Sequence, residues 1–435
     1  MGTDRTAKIV LLSGNSLCHN PRVMKEALTL SRAGYAVQVL GGWLDPALKE
    51  RDLSLIDRAP FAFSPVLDVT APGLRDRAAH AAARVCRKVA HIAHRLTGRE
   101  SLLQLGVVAK PLLRQALGIS ADLYIAHSEA GLHVAHTLRR EGRRVGVDME
   151  DWFSEDLLPE ARRARPLRLL RRLENDVLRD GTYASCSSGA MSAALAATYG
   201  CAPPAVIYNA FPWSDRHTLD GSTKDRRDTS IRSLYWFSTT LGPGRGLDEL
   251  MEAVALSSHE VEIHLRGNPV PGFEAWLASK LPDHRRQRLY FHDLVPNDRL
   301  LCRIAEHEIG FAGEAAQCRS RDLTVTNKIL HYLLGGIAVV ASDTAGQREI
   351  AAQAGDAVLL YRSGDARTLA GALDALLGSP NRMRDAKAAA LDAARRMFCW
   401  ERQEAALLAA VECALNRPAR SHVARTEIAP SCAAS

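Results

Sequence analysis

Apolar positions along this chain come in short strand-length clusters, most of them continuous rather than strictly alternating. They recur at 9–12, 37–40, 123–126, 145–149, 183–186 and 206–208, and again at 234–237, 262–265, 289–291, 309–312, 338–341 and 358–361. A strand buried on both faces reads this way, and such strands belong to parallel sheets. The segments between them carry helical spacing. The stretch 21–32 starts on Pro21, suited to a first helical turn, and stops before Gly34. Others lie at 247–256 and 369–377. Strand alternating with helix, repeated in two halves, predicts an α/β chain of two doubly wound, Rossmann-like domains facing a cleft. The expected limits are 1–208, a polar linker over 209–232, and a second domain over 233–398. A terminal helix over 399–416 is expected to pack back on the first domain. The tail 417–435, rich in Ala, Arg, Ser and Pro, predicts disorder.

The segment 74–96 lies outside the alternation. It predicts a helix with Leu74, Ala78, Ala81, Val85, Ile92 and Leu96 on one side and Arg75, Arg77, Arg84, Arg87, Lys88 and Arg95 on the other. A basic amphipathic helix suits the interface of an anionic membrane. The same pattern also fits a stripe packed on the first domain with solvated arginines. Charge bears on this choice. The net +7 lies wholly before the linker, with 28 Lys and Arg against 21 Asp and Glu through Tyr208. That half favours an anionic partner. The expectation is peripheral contact with the inner membrane face, and no nucleic acid. No run approaches the length of a membrane span, and the start carries no leader pattern. The nine cysteines form no C-x-x-C pair and read as reduced thiols of a cytoplasmic protein.

Several stretches, in order, resemble the retaining glycosyltransferase family GT4. "KIVLLSGNSLCHNPRVMKEALTLSRAGYAVQVL" is similar to its first strand–helix–strand unit. "ADLYIAHSEAGLHVAHTLRREGRRVGVDMEDWFSED" resembles the segment nearest the reacting sugar. "VIYNAF" resembles the interdomain crossover, and "GPGRGLDELMEAV" the phosphate-binding turn and helix. "TNKILHYLLGGIAVVASDTAGQREI" resembles the donor-binding helix and next strand, and "MFCWERQEAALLAAVE" the terminal helix. The resemblance implies a GT-B fold and transfer of a sugar from a UDP- or GDP-sugar to a glycan or lipid-linked acceptor, with Gly14 and Asn15 in the acceptor-side loop. It is not complete. The two glutamates of the family's E-x7-E pattern fall on Leu323 and His331. The Arg and Lys of its phosphate pair fall on Thr240 and Arg245, and its His after D-x falls on Glu150. These changes keep two other readings open: a catalytically silent nucleotide-sugar-binding or partner protein, and a nucleotide-sugar epimerase.

The residues suggest a division of labour. A diphosphate leaving group needs fixed cations and backbone N–H donors. Arg245, between Gly244 and Gly246 and just before a helix, offers both. Thr324, Thr326, Asn327 and Lys328 open the next candidate helix, whose N-terminus would hold phosphate oxygens or be simply capped. His331, one turn on from Asn327, would reach a ribose hydroxyl or be structural. Arg266 at a strand end would replace the cation lost at Thr240. Asp322 and Glu314 would meet sugar hydroxyls, and Leu294 is counted on the donor side. Asp148, Glu150 and Asp151 crowd the end of a buried strand, where carboxylates need partners or a purpose. Glu150 is expected to face the donor sugar, with Asp148 and His127 lining the same place. No metal-ligand spacing is visible, so metal-free chemistry without a cofactor is expected.

Overall fold

The computed structural model describes residues 6–70 and 73–417; the rest of the expected tail lies outside them. The apolar runs are strands. The first sheet has seven: β1 (Lys8–Leu12), β2 (Ala36–Trp43), β3 (Ala62–Asp68), β4 (Leu123–Ala126), β5 (Val145–Met149), β6 (Tyr183–Cys186) and β7 (Ala205–Val206), in the order β3-β2-β1-β4-β5-β6-β7. The second has six: β8 (Ser233–Leu241), β9 (Glu262–Pro269), β10 (Leu289–His292), β11 (Ile309–Ala312), β12 (Ala338–Ser342) and β13 (Val358–Tyr361), in the order β10-β9-β8-β11-β12-β13. Both sheets are parallel. Ile9 pairs with Val37 on one side and Leu123 on the other, and Leu234 with Ile263 and Ile309. Each sheet therefore reverses its direction of winding at a central strand, β1 or β8. Ligands of such sheets bind beyond the carboxyl ends there.

The strand missing from the sequence reading is β3. It carries Pro65 and is only partly buried. It lies at the sheet edge, the place where a proline is tolerated because no ladder hydrogen bond is lost.

Successive side chains of β8 enter opposite layers, as the pleat requires. Leu234 and Trp236 join Ile263, Leu265, Phe311 and the helices Leu247–Leu256 and Ala366–Leu377. Tyr235 joins Ile329, Leu330, Leu333 and Val339 on the other side. Gly310 in β11 lets the helix Asn327–Gly335 lie directly on the strand, because a Cβ at this position would collide with the Tyr332 ring.

The chain divides into two compact units. One comprises Met1–Asp148, Pro166–Ala184 and Ala410–Ser435, the other Met149–Arg165 and Ser185–Ala409. The polar stretch before β8 is not loose chain. Arg226 is buried and hydrogen-bonds Glu262 at 3.0 Å and Glu308 at 3.0–3.1 Å. The expected basic helix is present as Leu74–Thr97. Its Ala90 is buried, while Val85, Val89, Ile92 and Leu96 are exposed, Leu96 by 80%. Of the stripe expected to pack or insert, the described apolar side chains at 85, 92 and 96 thus face solvent. Among the described residues no helix is long and apolar enough to cross a membrane.

Candidate active site

In the second unit, several of the expected donor residues gather at the carboxyl ends of β8 and β11. Gly244 and Gly246 both take left-handed backbone conformations, φ 75° and 70°, which close a tight turn ahead of the helix Leu247–Leu256. No side chain caps that helix. Arg245, half-buried between the two glycines, has no hydrogen-bond or ion-pair partner among the described residues. The helix Asn327–Gly335 starts nearby. Its N-cap, Thr326, does not use its hydroxyl on the helix. The hydroxyl is turned to Glu314 at 3.4 Å instead. Both helix N-termini therefore keep backbone donors without side-chain caps.

Glu314 follows β11 and is surrounded by cations. Lys328 Nζ donates to its Oε1 at 2.9 Å, and Arg321 lies 3.5 Å from its Oε2. Burial pushes the Glu314 carboxyl up, but Lys328, Arg321 and Arg245 outweigh it and hold the group below the usual carboxylate range. Lys328 is itself buried, with its ammonium 5.5 Å from the Trp236 ring centre. Asn327 is exposed, and its Oδ1 accepts from Asn209 Nδ2 at 3.1 Å. The same Asn209 amide donates to Glu150 Oε1 at 3.2 Å. Glu150, Asn209 and Asn327 thus form a continuous polar chain. Its approach is fixed from two sides: Ser187 donates to the Glu150 carbonyl at 2.9 Å, and Ser320 accepts from Trp152 N at 3.0 Å. His331 stacks on Phe211, ring centres 3.3 Å apart, and meets Phe237 edge-on.

Other expected donor residues have different occupations. Arg266 is buried and its guanidinium is committed: Nε to Tyr235 at 2.9 Å, the other nitrogens to Asp225 and the Asp293 carbonyl. A cation bound in this way supports the stretch before β8. Asp322 accepts from Ala345 N at 3.0 Å, at the start of the helix Ala345–Ala354. Thr324 turns its hydroxyl back to the Ser320 carbonyl. Leu294 is exposed.

Asp148 and His127 belong to the first unit, where they join a buried network. Arg22 clamps Asp148 with Nε at 2.8 Å and Nη2 at 2.6 Å. The same guanidinium lies 3.4 Å from Glu26, which is 3.3 Å from His127 Nε2. Burial pushes His127 down to about 4; Asp148 opposes this and Arg22 adds to it. Glu26, His127 and Asp148 bring three ligating atoms within 4.8 Å. Arg22 stands among them, however, and already supplies the positive charge that a metal ion would bring. Gly14, φ 70°, donates to the Leu40 carbonyl at 2.9 Å, and Asn15 beside it is exposed.

The sequence matches no protein-family model and no curated protein. Solved structures do match across nearly the whole chain. Sucrose-phosphate synthase from Thermosynechococcus elongatus is 13% identical, with 94% of this chain and 98% of that chain covered and a TM-score of 0.68. Anabaena HepE in complex with UDP is 16% identical, with 93% and 99% covered and a TM-score of 0.64. A glycosyltransferase from Rickettsia africae is 11% identical, with 95% and 100% covered and a TM-score of 0.64. The chain has the GT-B fold. Within this GT-B chain the sequence reading missed four residues: Arg22, Glu26, Arg321 and Asn209. Asn209 had a signal, since it lies inside the quoted "VIYNAF". The other three meet their partners only through the fold.

Proposed function

We propose that the chain is a retaining glycosyltransferase of GT4 type, moving a sugar from a UDP- or GDP-sugar to an acceptor hydroxyl in glycan or polysaccharide biosynthesis. The observation that carries this reading is the cluster of Arg245, Lys328 and Arg321 beside two uncapped helix N-termini. These groups match the charge that builds on a departing diphosphate. HepE, of the same fold, has been solved with UDP and with UDP-glucose, which puts UDP first among the donors to try.

In this reading Arg245 takes the diphosphate directly, having no internal partner to surrender. Lys328 and the N–H groups at Asn327 hold the other phosphate. Glu150, oriented through Asn209, faces the sugar and stabilises positive charge at its anomeric carbon or accepts a hydrogen bond from the acceptor. The His331–Phe211 stack lies one turn from Asn327 and contacts the ribose. The reaction needs no metal, since the cations are side chains. The acceptor is a glycan or lipid-linked intermediate. The exposed row Val85, Val89, Ile92 and Leu96, beside exposed Arg84, Arg87, Lys88 and Arg95, supports peripheral contact with an anionic membrane.

Calorimetry with UDP and GDP tests the central assignment. Arg245→Ala is expected to weaken binding by roughly 1.5–3 kcal/mol, the scale of a charged hydrogen bond. Unchanged affinity would remove Arg245 from the site.

A further inference from the structure

Glu314 is held among the cations that the donor phosphates need. A carboxylate sits where an anionic leaving group is to be stabilised. Its backbone cannot retreat: the Glu314 N–H donates to Ser342 Oγ at 2.9 Å, and the Ser342 hydroxyl donates back to the Glu314 carbonyl at 2.7 Å. Ser342 is buried at the end of β12 and is held in turn by Gln347 at 2.8 Å. Only the side chain of Glu314 can swing. Its two oxygens point to different cations, Oε1 to Lys328 and Oε2 to Arg321. It also takes the hydroxyl of Thr326, the residue that begins the helix. Every group it engages is therefore one that a phosphate at this helix N-terminus would engage.

We infer that Glu314 is a built-in competitor for the diphosphate: carboxylate and phosphate contend for Lys328, Arg321 and Thr326, so Glu314 sets how tightly the donor is held and helps expel the nucleoside diphosphate product. The inference rests on the glycosyltransferase reading and adds regulation to the same site. The charges agree with it. Three cations against one carboxylate leave an excess that still attracts a diphosphate, but less strongly than three uncompensated cations would. The buried Lys328 ammonium needs a counter-charge whenever no phosphate is bound, because an unpaired charge there is costly. Glu314 supplies that charge and gives it up on donor binding. When the sugar has left, the carboxylate recaptures Lys328 and weakens the hold on the product. Arg245, which has no such internal partner, keeps its affinity throughout.

The test is calorimetric binding of UDP, GDP and inorganic pyrophosphate to the full-length protein and to Glu314→Gln. Removing the negative charge is expected to tighten binding roughly tenfold, the scale of one charge-assisted hydrogen bond no longer contested. It should also lower, by a similar factor, the concentration of nucleoside diphosphate that inhibits turnover. Affinity that is unchanged or weaker in Glu314→Gln overturns the inference and makes Glu314 a clamp that orients Lys328. Glu314→Asp covers the case where the first variant does not fold. It keeps the charge but falls one methylene short of Lys328, so tighter binding is again expected and weaker binding refutes. Wild-type protein that binds none of the three anions defeats the donor assignment along with this one. Wild-type binding with an unresponsive Glu314 defeats this one alone.

Discussion

Mild acid should destabilise the folded chain well before its carboxylates titrate. His264 is fully buried in β9, with Nδ1 3.0 Å from His292 Nε2 and Nε2 3.1 Å from Glu262. Its ring packs against His307, centroids 4.6 Å apart. Burial pushes its imidazole down to about 4, a shift that its hydrogen bond to Glu262 opposes and His292 reinforces. His127 in the first unit is also pushed down to about 4 by burial. In the unfolded chain both would titrate near about 6.5. Between those values the unfolded state binds the proton and the folded state does not. Stability is therefore full above the unfolded value, falls as pH drops towards 4, and loses nothing further from these groups below that. For one such histidine the loss between pH 7 and pH 5 is about 1.8 kcal/mol, and for the two about 4 kcal/mol. His307, held well below its usual range by burial and then by His264, acts in the same direction. Burial pushes Glu249 and Glu306 up, which offsets part of the loss. Urea unfolding at pH 7, 6 and 5 reads this directly, with separate transitions analysed if the two units melt apart. His264→Phe keeps a ring in the stack and cannot take up the proton, so its stability should fall by about 2 kcal/mol less over the same interval. A wild type that loses under about 1 kcal/mol between pH 7 and pH 5, or a variant with the same slope, refutes a role for the buried histidines.

Three further outcomes follow from the proposed site and surface. Glu150→Gln should lower kcat much more than donor affinity; a kcat within about threefold of wild type, under 1 kcal/mol of barrier, would remove Glu150 from the chemistry. Turnover should survive EDTA, and an enzyme that recovers only when manganese or magnesium is added contradicts the metal-free reading. The protein should co-sediment with anionic vesicles, less so at high salt and less so when Arg84, Arg87 and Lys88 become Glu, each basic group being worth about 1 kcal/mol near such a surface; wild type that stays in the supernatant at low salt refutes the contact.

Most strands were legible because a parallel sheet buries both faces, so apolar residues crowd into strand-length clusters, interrupted in β5 by Asp148 and in β9 by Glu262 and His264. β3 was not, since a half-exposed edge strand with Pro65 has no such run. In the candidate site, Arg245 and Lys328 were legible for local reasons: a turn needing glycine on both sides, and a helix start. The occupations of Arg266, Asp322, Asp148 and His127 were not. Residue type and position gave Arg266 and Asp322 to the donor and placed Asp148 and His127 beside the sugar. Their partners are Asp225, the Ala345 amide, Arg22 and Glu26, and sequence spacing reaches none of them. Arg22 gave the least warning, because a basic residue in a surface-patterned helix is ordinarily solvated, and here it is wholly buried.

Gly310 makes no bond to any of the candidate site residues, yet it sets the height of the platform on which two of them stand. The helix Asn327–Gly335 rests on β11 through the Tyr332 ring at this glycine, and Asn327 and Lys328 ride at the near end of the same short rod. A methyl group at 310 would have to lift or tilt that rod. Because a helix turn is stiff, the displacement would pass to Lys328 largely undiminished. A misplacement of about 1 Å in catalytic geometry can cost on the order of a hundredfold in rate. The tolerance of the candidate site is thus machined into the sheet beneath it, at a position with no side chain at all.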